Sequence, residues 1–483
     1  MRVAVIQRIM GLFIMLFSFI LLPPVMIDIF FQDDAGRTFF YSYLFLLALG
    51  FLLFYPARNS SQDMRLRDGF VVVVLFWLVL GTVGAIPLYF YEGLDISLVD
   101  ALFESISGLT TTGATVLTGL DHLPHSILFY RQELQWLGGM GIIVLAVAIL
   151  PMLGIGGMQL YKAETPGPVK DNKLTPRIAE TAKALWYVYL GLTVACAFAY
   201  WLVGMSVFDA ISHSFSTVAN GGFSTHDASI GYYDNHAVEI VAIVFMFLGA
   251  INFALHFSVL RTRSVMVYLR DAEFRFYVSF LFLICFLTIV TLYHQSLYHD
   301  FGDAFREGLF QAVSISSTSG FVTAEYAQWP VFIPVLLIFS SFVGGCAGST
   351  AGGIKVIRIL LLLKQGLREL MRLIHPNAEV VVKVGRQPVN NEIIDAVWGF
   401  FATYVFLFVI MMLILMFNGV DQITAFSAVA ATINNMGPGL GDVAITFASL
   451  SDVNKLVLSF AMLIGRLEIF TVLVLFMPAF WRK

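Results

Sequence analysis

Charge is what this sequence has least of. Only 12% of its 483 residues are Asp, Glu, Lys or Arg, about half the share of an ordinary globular chain. Cysteine is nearly absent as well. Cys196, Cys285 and Cys346 each sit in an apolar stretch, with no CxxC and no paired spacing. That excludes a disulfide framework or a thiolate zinc site and leaves three small packing residues. There is no HExxH, no GxSxG and no phosphate-binding P-loop. The histidines are scattered, and His122, His125, His226, His236, His294 and His299 fall in loops or near a membrane surface. No enzymatic activity, covalent cofactor or nucleic-acid partner is expected.

Apolar residues fill the space. They make up 59% of the chain, with a mean hydropathy of +0.84. They come in long runs such as 10–29, 41–56, 70–90, 141–160 and 457–476. As helices, runs of about 18 residues cross a ~30 Å hydrocarbon layer. Hydropathy divides the chain into ten candidate spans, near 3–31, 38–57, 69–91, 131–160, 183–204, 237–260, 274–294, 330–363, 391–417 and 453–480. The first run carries no small-residue cleavage site and reads as a membrane helix, not a removed signal.

Lys and Arg are unevenly shared among the connections. One set holds Arg58, Arg65 and Arg67; Lys162, Lys170, Lys173, Arg177 and Lys183; Arg261, Arg263, Arg270 and Arg275; Arg368, Arg372, Lys383 and Arg386. Arg2, Arg8, Arg482 and Lys483 lie on the same side, and the other side has only Arg37, Arg131, Arg306 and Lys455. The excess marks the cytoplasmic side and places both termini there, a parity that ten spans satisfy. The expected fold class is an all-α integral membrane protein embedded in a lipid bilayer.

An internal repeat organises those spans. Four times the chain runs through a span, a short amphipathic helix, a glycine-containing turn and a second span. The short segments read VDALFESISGLTTTGAT at 99–115, FDAISHSFSTVANGGFS at 208–224, REGLFQAVSISSTSGFV at 306–322 and ITAFSAVAATINNMGPG at 423–439. They align without a gap on Gly113, Gly222, Gly320 and Gly437. Thirteen residues earlier stand Asp100, Asp209, Glu307 and Thr424, suited to a helix N-terminus. Small residues recur at Ala101, Ala210, Gly308 and Ala425, and at Ser107, Ser216, Ser314 and Ala431. A dozen helical residues reach only ~18 Å, so each segment must enter the membrane and turn back. Irregular backbone at that depth survives only inside protein or along a water-filled path. Four such turns around one axis would set carbonyl oxygens in rings that replace a cation's hydration shell. Glycines recur in the second spans too, at Gly138, Gly249, Gly344 and Gly465. The organisation expected is a helix pair at 1–60 and pore repeats at 61–165, 166–265, 266–375 and 376–483.

At these residues the chain resembles a known family. TTTGAT, NGGFST, STSGF and NNMGPGLG are similar to the four filter loops of the Trk/Ktr/HKT superfamily of potassium transporters. GGMGIIVLAVAILP, KALWY, GGCAGSTAGGIKVIR and GRLEIF are similar to the membrane subunit of its bacterial Trk branch. The resemblance covers essentially the whole chain. It implies potassium uptake across the bacterial inner membrane, a homodimer with one pore per subunit, and a TrkA-type cytoplasmic ring that binds nucleotide and controls the gate. The filter residues it implies are Thr111, Thr112, Gly113 and Ala114; Asn220, Gly221, Gly222 and Phe223; Thr318, Ser319, Gly320 and Phe321; and Asn435, Met436, Gly437 and Pro438. In the plant-type branch a serine at the first glycine position goes with sodium transport; here it is Gly113. Pro438 stands where Ala114, Phe223 and Phe321 stand in the other repeats, so the symmetry is approximate.

Two features inside the spans point to control of the path. Arg466 lies in an otherwise apolar helix, where a central arginine costs roughly 2.5–3.5 kcal/mol on insertion scales and usually faces a cavity. A pair with Glu468 is disfavoured, because residues two apart on a helix point to different faces. The second feature is Gly344, Gly345, Cys346, Ala347, Gly348, Ser349, Thr350, Ala351, Gly352 and Gly353. Each helix-interior glycine costs about 1 kcal/mol relative to alanine, so the run predicts a non-helical loop beneath the filter, acting as a gate. A coupled transporter is the competing reading. Its candidate proton carriers are Glu104, His213 and Glu468, with Gln311 and Ala428 replacing the first two in later repeats.

Overall fold

The computed structural model describes residues 2–60, 66–144, 178–298, 300–467 and 469–482, with the side chains of 66, 142–144 and 178–181 left aside. Expectations that fall on 145–177, Arg65, His299, Glu468 and Lys483 lie outside the described residues. They include the end of the span at 131–160, most of GGMGIIVLAVAILP and the basic connection at 162–177.

The described chain is overwhelmingly helical. An antiparallel ribbon of two-residue strands, Lys383–Val384 and Gln387–Pro388, interrupts it. Six described helices are long and apolar enough to cross a membrane: Val3–Phe31, Gly36–Ala57, Arg67–Phe90, Ala182–Leu202, Ala272–His294 and Asn391–Phe417. There are eight if each of two bent pairs is one span. The N-terminal pair crosses closely at Gly11, where an added Cβ would stand 2.8 Å from the Gly50 carbonyl oxygen. Small residues allow such approach where the surroundings are apolar.

Four short helices lie between the long ones: Leu98–Leu109, Val207–Val218, Phe301–Ser316 and Gln422–Ile433. They are 12, 12, 16 and 12 residues long, too short to span. Ser97, Ser206 and Asp421 cap three of them by accepting a backbone N–H in the first turn. The aligned Asp100 completes a capping box with Ser97.

The helices that follow depart from the straight spans drawn from hydropathy at 237–260 and 453–480. His236–Gly249 meets Phe253–Thr262 at 96°, and Asp452–Leu467 meets Ile469–Phe476 at 112°. The reason is local. Asn252 caps the helix after the first bend by accepting from the Ala254 N–H at 2.8 Å, while the residues around it stay apolar, so hydropathy does not register the turn. In the third repeat Phe332–Val343 stops at Gly344, and helix resumes only at Val356–Ile374.

Candidate functional site

Each short helix ends in the same way. Thr111, Asn220, Thr318 and Asn435 have φ of 53°, 51°, 57° and 52°. The next N–H in each loop, of Thr112, Gly221, Ser319 and Met436, donates to the carbonyl of Ser107, Ser216, Ser314 or Ala431 at 2.8, 2.8, 2.9 and 2.8 Å. This is the Schellman cap. A left-handed threonine costs of order 1–3 kcal/mol and persists only where its surroundings over-determine it. One residue further on, Gly113, Gly222, Gly320 and Gly437 also have positive φ, at 82°, 79°, 79° and 100°.

The four loops touch in a closed circuit. A Cβ added to Gly113 would fall on the carbonyl oxygen of Gly221, one on Gly222 on that of Ser319, and one on Gly320 on that of Met436. One on Gly437 would stand 2.8 Å from the Thr112 oxygen. Loop one therefore abuts loop two, two abuts three, three abuts four, and four returns to one. Directly above lies a cavity of about 700 Å³ lined by all four glycines and by Arg131, His226 and Glu325. Ala114, Phe223 and Phe321 are buried, while Pro438 is half-buried.

Side chains that sequence reading did not assign to the filter hold these loops. Gln135 clamps the second: its Nε2 donates to the Gly221 oxygen at 2.7 Å and its Oε1 accepts from the Phe223 N–H at 3.1 Å. Arg131 donates to Glu104 at 2.7 Å and to the Ser224 carbonyl at 3.1 Å, and stacks 4.2 Å from the Phe223 ring centroid. Glu104 also accepts from Thr115 Oγ1 and the Val116 N–H, both at 3.0 Å. Its repeat counterparts do similar work. A ring nitrogen of His213 bonds Ser224 Oγ at 2.9 Å, and Gln311 donates to the Ala324 carbonyl at 3.3 Å. The position marked for proton coupling is thus a brace for the outgoing limb of the first three loops, with both Glu104 and His213 already committed; Ala428 in the fourth has no polar atom to offer.

Beneath the loops the break in the third repeat touches three repeats at once. The Cys346 N–H donates to the Ala250 carbonyl at 2.9 Å, the Ala347 N–H to Glu273 Oε1 at 2.7 Å, and the Phe253 N–H to the Gly348 carbonyl at 3.0 Å. Ser349 Oγ folds back to the Cys346 carbonyl at 2.6 Å, and Lys355 Nζ donates to the Ala351 carbonyl. Thr350 Oγ1 lies 2.8, 3.1 and 3.0 Å from Val218 O, Asn220 Oδ1 and Gly249 O. The Gly352 N–H donates to Thr318 Oγ1 at 2.6 Å and the Gly353 N–H to the Asn434 carbonyl at 3.1 Å. Gly344, Gly348 and Gly353 all have positive φ, so the glycine run supplies conformations that a helix cannot.

Arg466 sits against this segment. Its Nη1 donates to the Thr350 carbonyl at 2.9 Å, while Nε and Nη2 are buried without a hydrogen-bond partner among the described residues. Arg466→Ala removes a positive charge and a tether together. At ~4 Å and an effective dielectric of ~20, two like charges repel by about 4 kcal/mol, and a hydrated path weakens this. We expect rubidium uptake to rise about tenfold, the equivalent of 1.4 kcal/mol. Abolished flux in a folded protein would make the residue purely structural.

Beside the cavity His226 joins the first two repeats. Its Nδ1 is 2.5 Å from Asp121 Oδ1 and its Nε2 3.6 Å from Asp209 Oδ1, with the ring stacked on Tyr232. Burial would lower the imidazole pKa, but Asp209 and Asp121 outweigh it and hold the value above the ordinary one. Its stabilising contribution is complete below about pH 6.5 and is lost as pH rises through the raised value. The melting temperature should accordingly fall on going from mildly acidic to mildly alkaline buffer, and His226→Gln should flatten that slope. Parallel slopes in the two proteins would rule the contribution out.

Several long apolar helices, with four loops that close on one another between them, mark a multi-span membrane protein. The chain belongs to the TrkH family: the family's sequence model, described as a cation transport protein, matches residues 35–483. It is 57% identical over 483 residues to the Trk system potassium uptake protein TrkH of Vibrio parahaemolyticus, covering 99% of each chain. It is 54% identical, over 100% of each, to the protein of that name from Escherichia coli K12. The crystal structure of the potassium transporter TrkH from Vibrio parahaemolyticus aligns over 100% of both chains with a TM-score of 0.93 and 53% identity.

Proposed function

We propose that this chain carries potassium into a bacterial cell across the cytoplasmic membrane, along the axis of its four loops. In this reading ten spans and four short helices form four repeats around one pore, with two further N-terminal helices outside it and both termini in the cytoplasm. Residues 111–114, 220–223, 318–321 and 435–438 form the filter. The closed circuit of loop contacts carries the reading, since four abutting turns of one conformation present backbone carbonyls around a single axis. Such a set can stand in for the water around a dehydrated cation. The C-terminal ends of the four helices add partial negative charge there. The relatives' names, potassium uptake proteins of the Trk system, support the choice of ion.

Residues 344–353 and Arg466 act as the gate below the filter. The protein works as a homodimer, and a cytoplasmic ring subunit binds the nucleotide and moves the gate. Rubidium uptake into vesicles containing the purified protein, competed by potassium or sodium, tests the reading. Potassium should block at far lower concentration than sodium; equal competition by the two ions would overturn it.

A further inference from the structure

The inner end of the second repeat carries a group of arginines that the pore does not use. Beyond the bend at Ala250–Asn252 the chain runs through Phe253–Thr262 and Met266–Arg270 before entering the helix Ala272–His294. Phe253–Thr262 leaves His236–Gly249 at 96°, so with the latter spanning the bilayer, as proposed, it runs along the membrane plane. Phe253, Leu255 and His256 are buried against the protein, and His256 ties this helix to the next through Tyr268 Oη at 2.6 Å. The opposite side is apolar and exposed at Leu260, Val265, Met266 and Leu269. Interleaved with these are Arg261, Arg263 and Arg270, all exposed and without a hydrogen bond or ion pair to another described residue.

The acidic groups nearby are engaged elsewhere. Asp271 caps the following helix by accepting from the Phe274 N–H and lies within electrostatic reach of Arg275, and Glu273 accepts from the Ala347 N–H. An in-plane helix with apolar residues beside bare cations sits at the boundary between acyl chains and headgroups. Guanidinium forks there match phosphate oxygens two at a time.

We infer that the elbow at 253–270 binds anionic phospholipid headgroups of the inner leaflet through Arg261, Arg263 and Arg270, and that bound lipid steadies the loop at 344–353. The link is direct. The elbow and the bend that leads into it share three backbone hydrogen bonds with the loop, Cys346 N–H to Ala250 O at 2.9 Å, Thr350 N–H to Gly249 O at 3.2 Å and, from the elbow itself, Phe253 N–H to Gly348 O at 3.0 Å. A headgroup that fixes the elbow therefore fixes the backbone on which the loop rests. The second half of this inference relies on the proposed orientation and on the loop's role as gate.

The test compares the wild-type protein with the triple variant Arg261→Gln, Arg263→Gln, Arg270→Gln, and with Arg8→Gln as control, since Arg8 already donates to the Ser60 carbonyl at 2.7 Å. Each is placed in vesicles of phosphatidylcholine alone or mixed with phosphatidylglycerol. Native mass spectrometry counts the phosphatidylglycerol retained, and rubidium flux is measured in parallel. Removing each arginine should weaken retention about fivefold. Wild-type basal flux should be lower in the mixed vesicles, and the triple variant should lose that difference. Equal retention by wild type and triple variant would overturn the site. Wild-type flux that ignores lipid composition would overturn the link to the loop. A protein that conducts in no vesicle would instead defeat the pore reading, while the lipid count would still decide the site.

Discussion

Serine in place of Gly113 should lower discrimination between potassium and sodium at least tenfold, measured by competition against rubidium uptake. Two costs combine. The glycine sits at φ 82°, where an L-residue loses about 1–2 kcal/mol. Its new Cβ would also overlap the Gly221 carbonyl oxygen, and that oxygen is not free to retreat, being held by Gln135 Nε2 at 2.7 Å. The loops must therefore part, and a ring whose selectivity depends on its dimensions is altered. Tenfold corresponds to 1.4 kcal/mol. Gly119→Ala separates the two causes. Gly119 has a φ of 70° but nothing within 4 Å of an added Cβ, so it carries a similar strain with no neighbour to displace. That variant should keep wild-type selectivity. Unchanged competition curves for Gly113→Ser, or equal loss in both variants, would remove Gly113 from the filter.

Deleting residues 345–353 should raise basal rubidium uptake by tenfold or more and blunt the response to the cytoplasmic partner. The segment leaves and returns at almost the same place. The Ile354 N–H donates to the Phe342 carbonyl at 2.9 Å, and a Cβ on Gly344 would stand 3.0 Å from Gly353 Cα. Joining 344 to 354 therefore need not stretch the flanking helices. What goes is the set of hydrogen bonds from the loop to Val218, Gly249, Ala250, Thr318 and Asn434, each worth ~0.5–1.5 kcal/mol net. Thr350→Val, which keeps the loop and removes the hydroxyl's contacts, should raise flux by a smaller factor. A deletion protein with wild-type basal flux and full partner response would place the gate elsewhere.

Much of this site was legible because its backbone demands specific residues. A turn in the left-handed region that abuts a neighbouring carbonyl admits only glycine, so Gly113, Gly222, Gly320 and Gly437 stand out in register. The glycine run at 344–353 announced a helix break for the same reason. The bend at Ala250–Asn252 went unseen because its backbone is satisfied by partners distant in sequence, Cys346 and Gly348, while its residues remain apolar. The bend after Leu467 was equally invisible to hydropathy. Gln135 and the Glu104–Arg131 pair were missed as braces for a related reason. A polar side chain in a short polar stretch reads alike whether it faces water or clamps a buried loop. The left-handed Thr111 and Thr318 went unremarked too, since threonine at such a φ runs against its own preference. The Asn at 220 and 435, which tolerates that region, was the available hint.

In the proposed filter, backbone carbonyls from residues 111–114, 220–223, 318–321 and 435–438 surround one dehydrated ion. Anomalous diffraction from crystals grown in rubidium, collected at its absorption edge, tests this most directly. The prediction is a peak on the common axis, bordered by the four loops and lost in Gly113→Ser. Rubidium peaks confined to sites away from the four loops, with none on the axis, would contradict it.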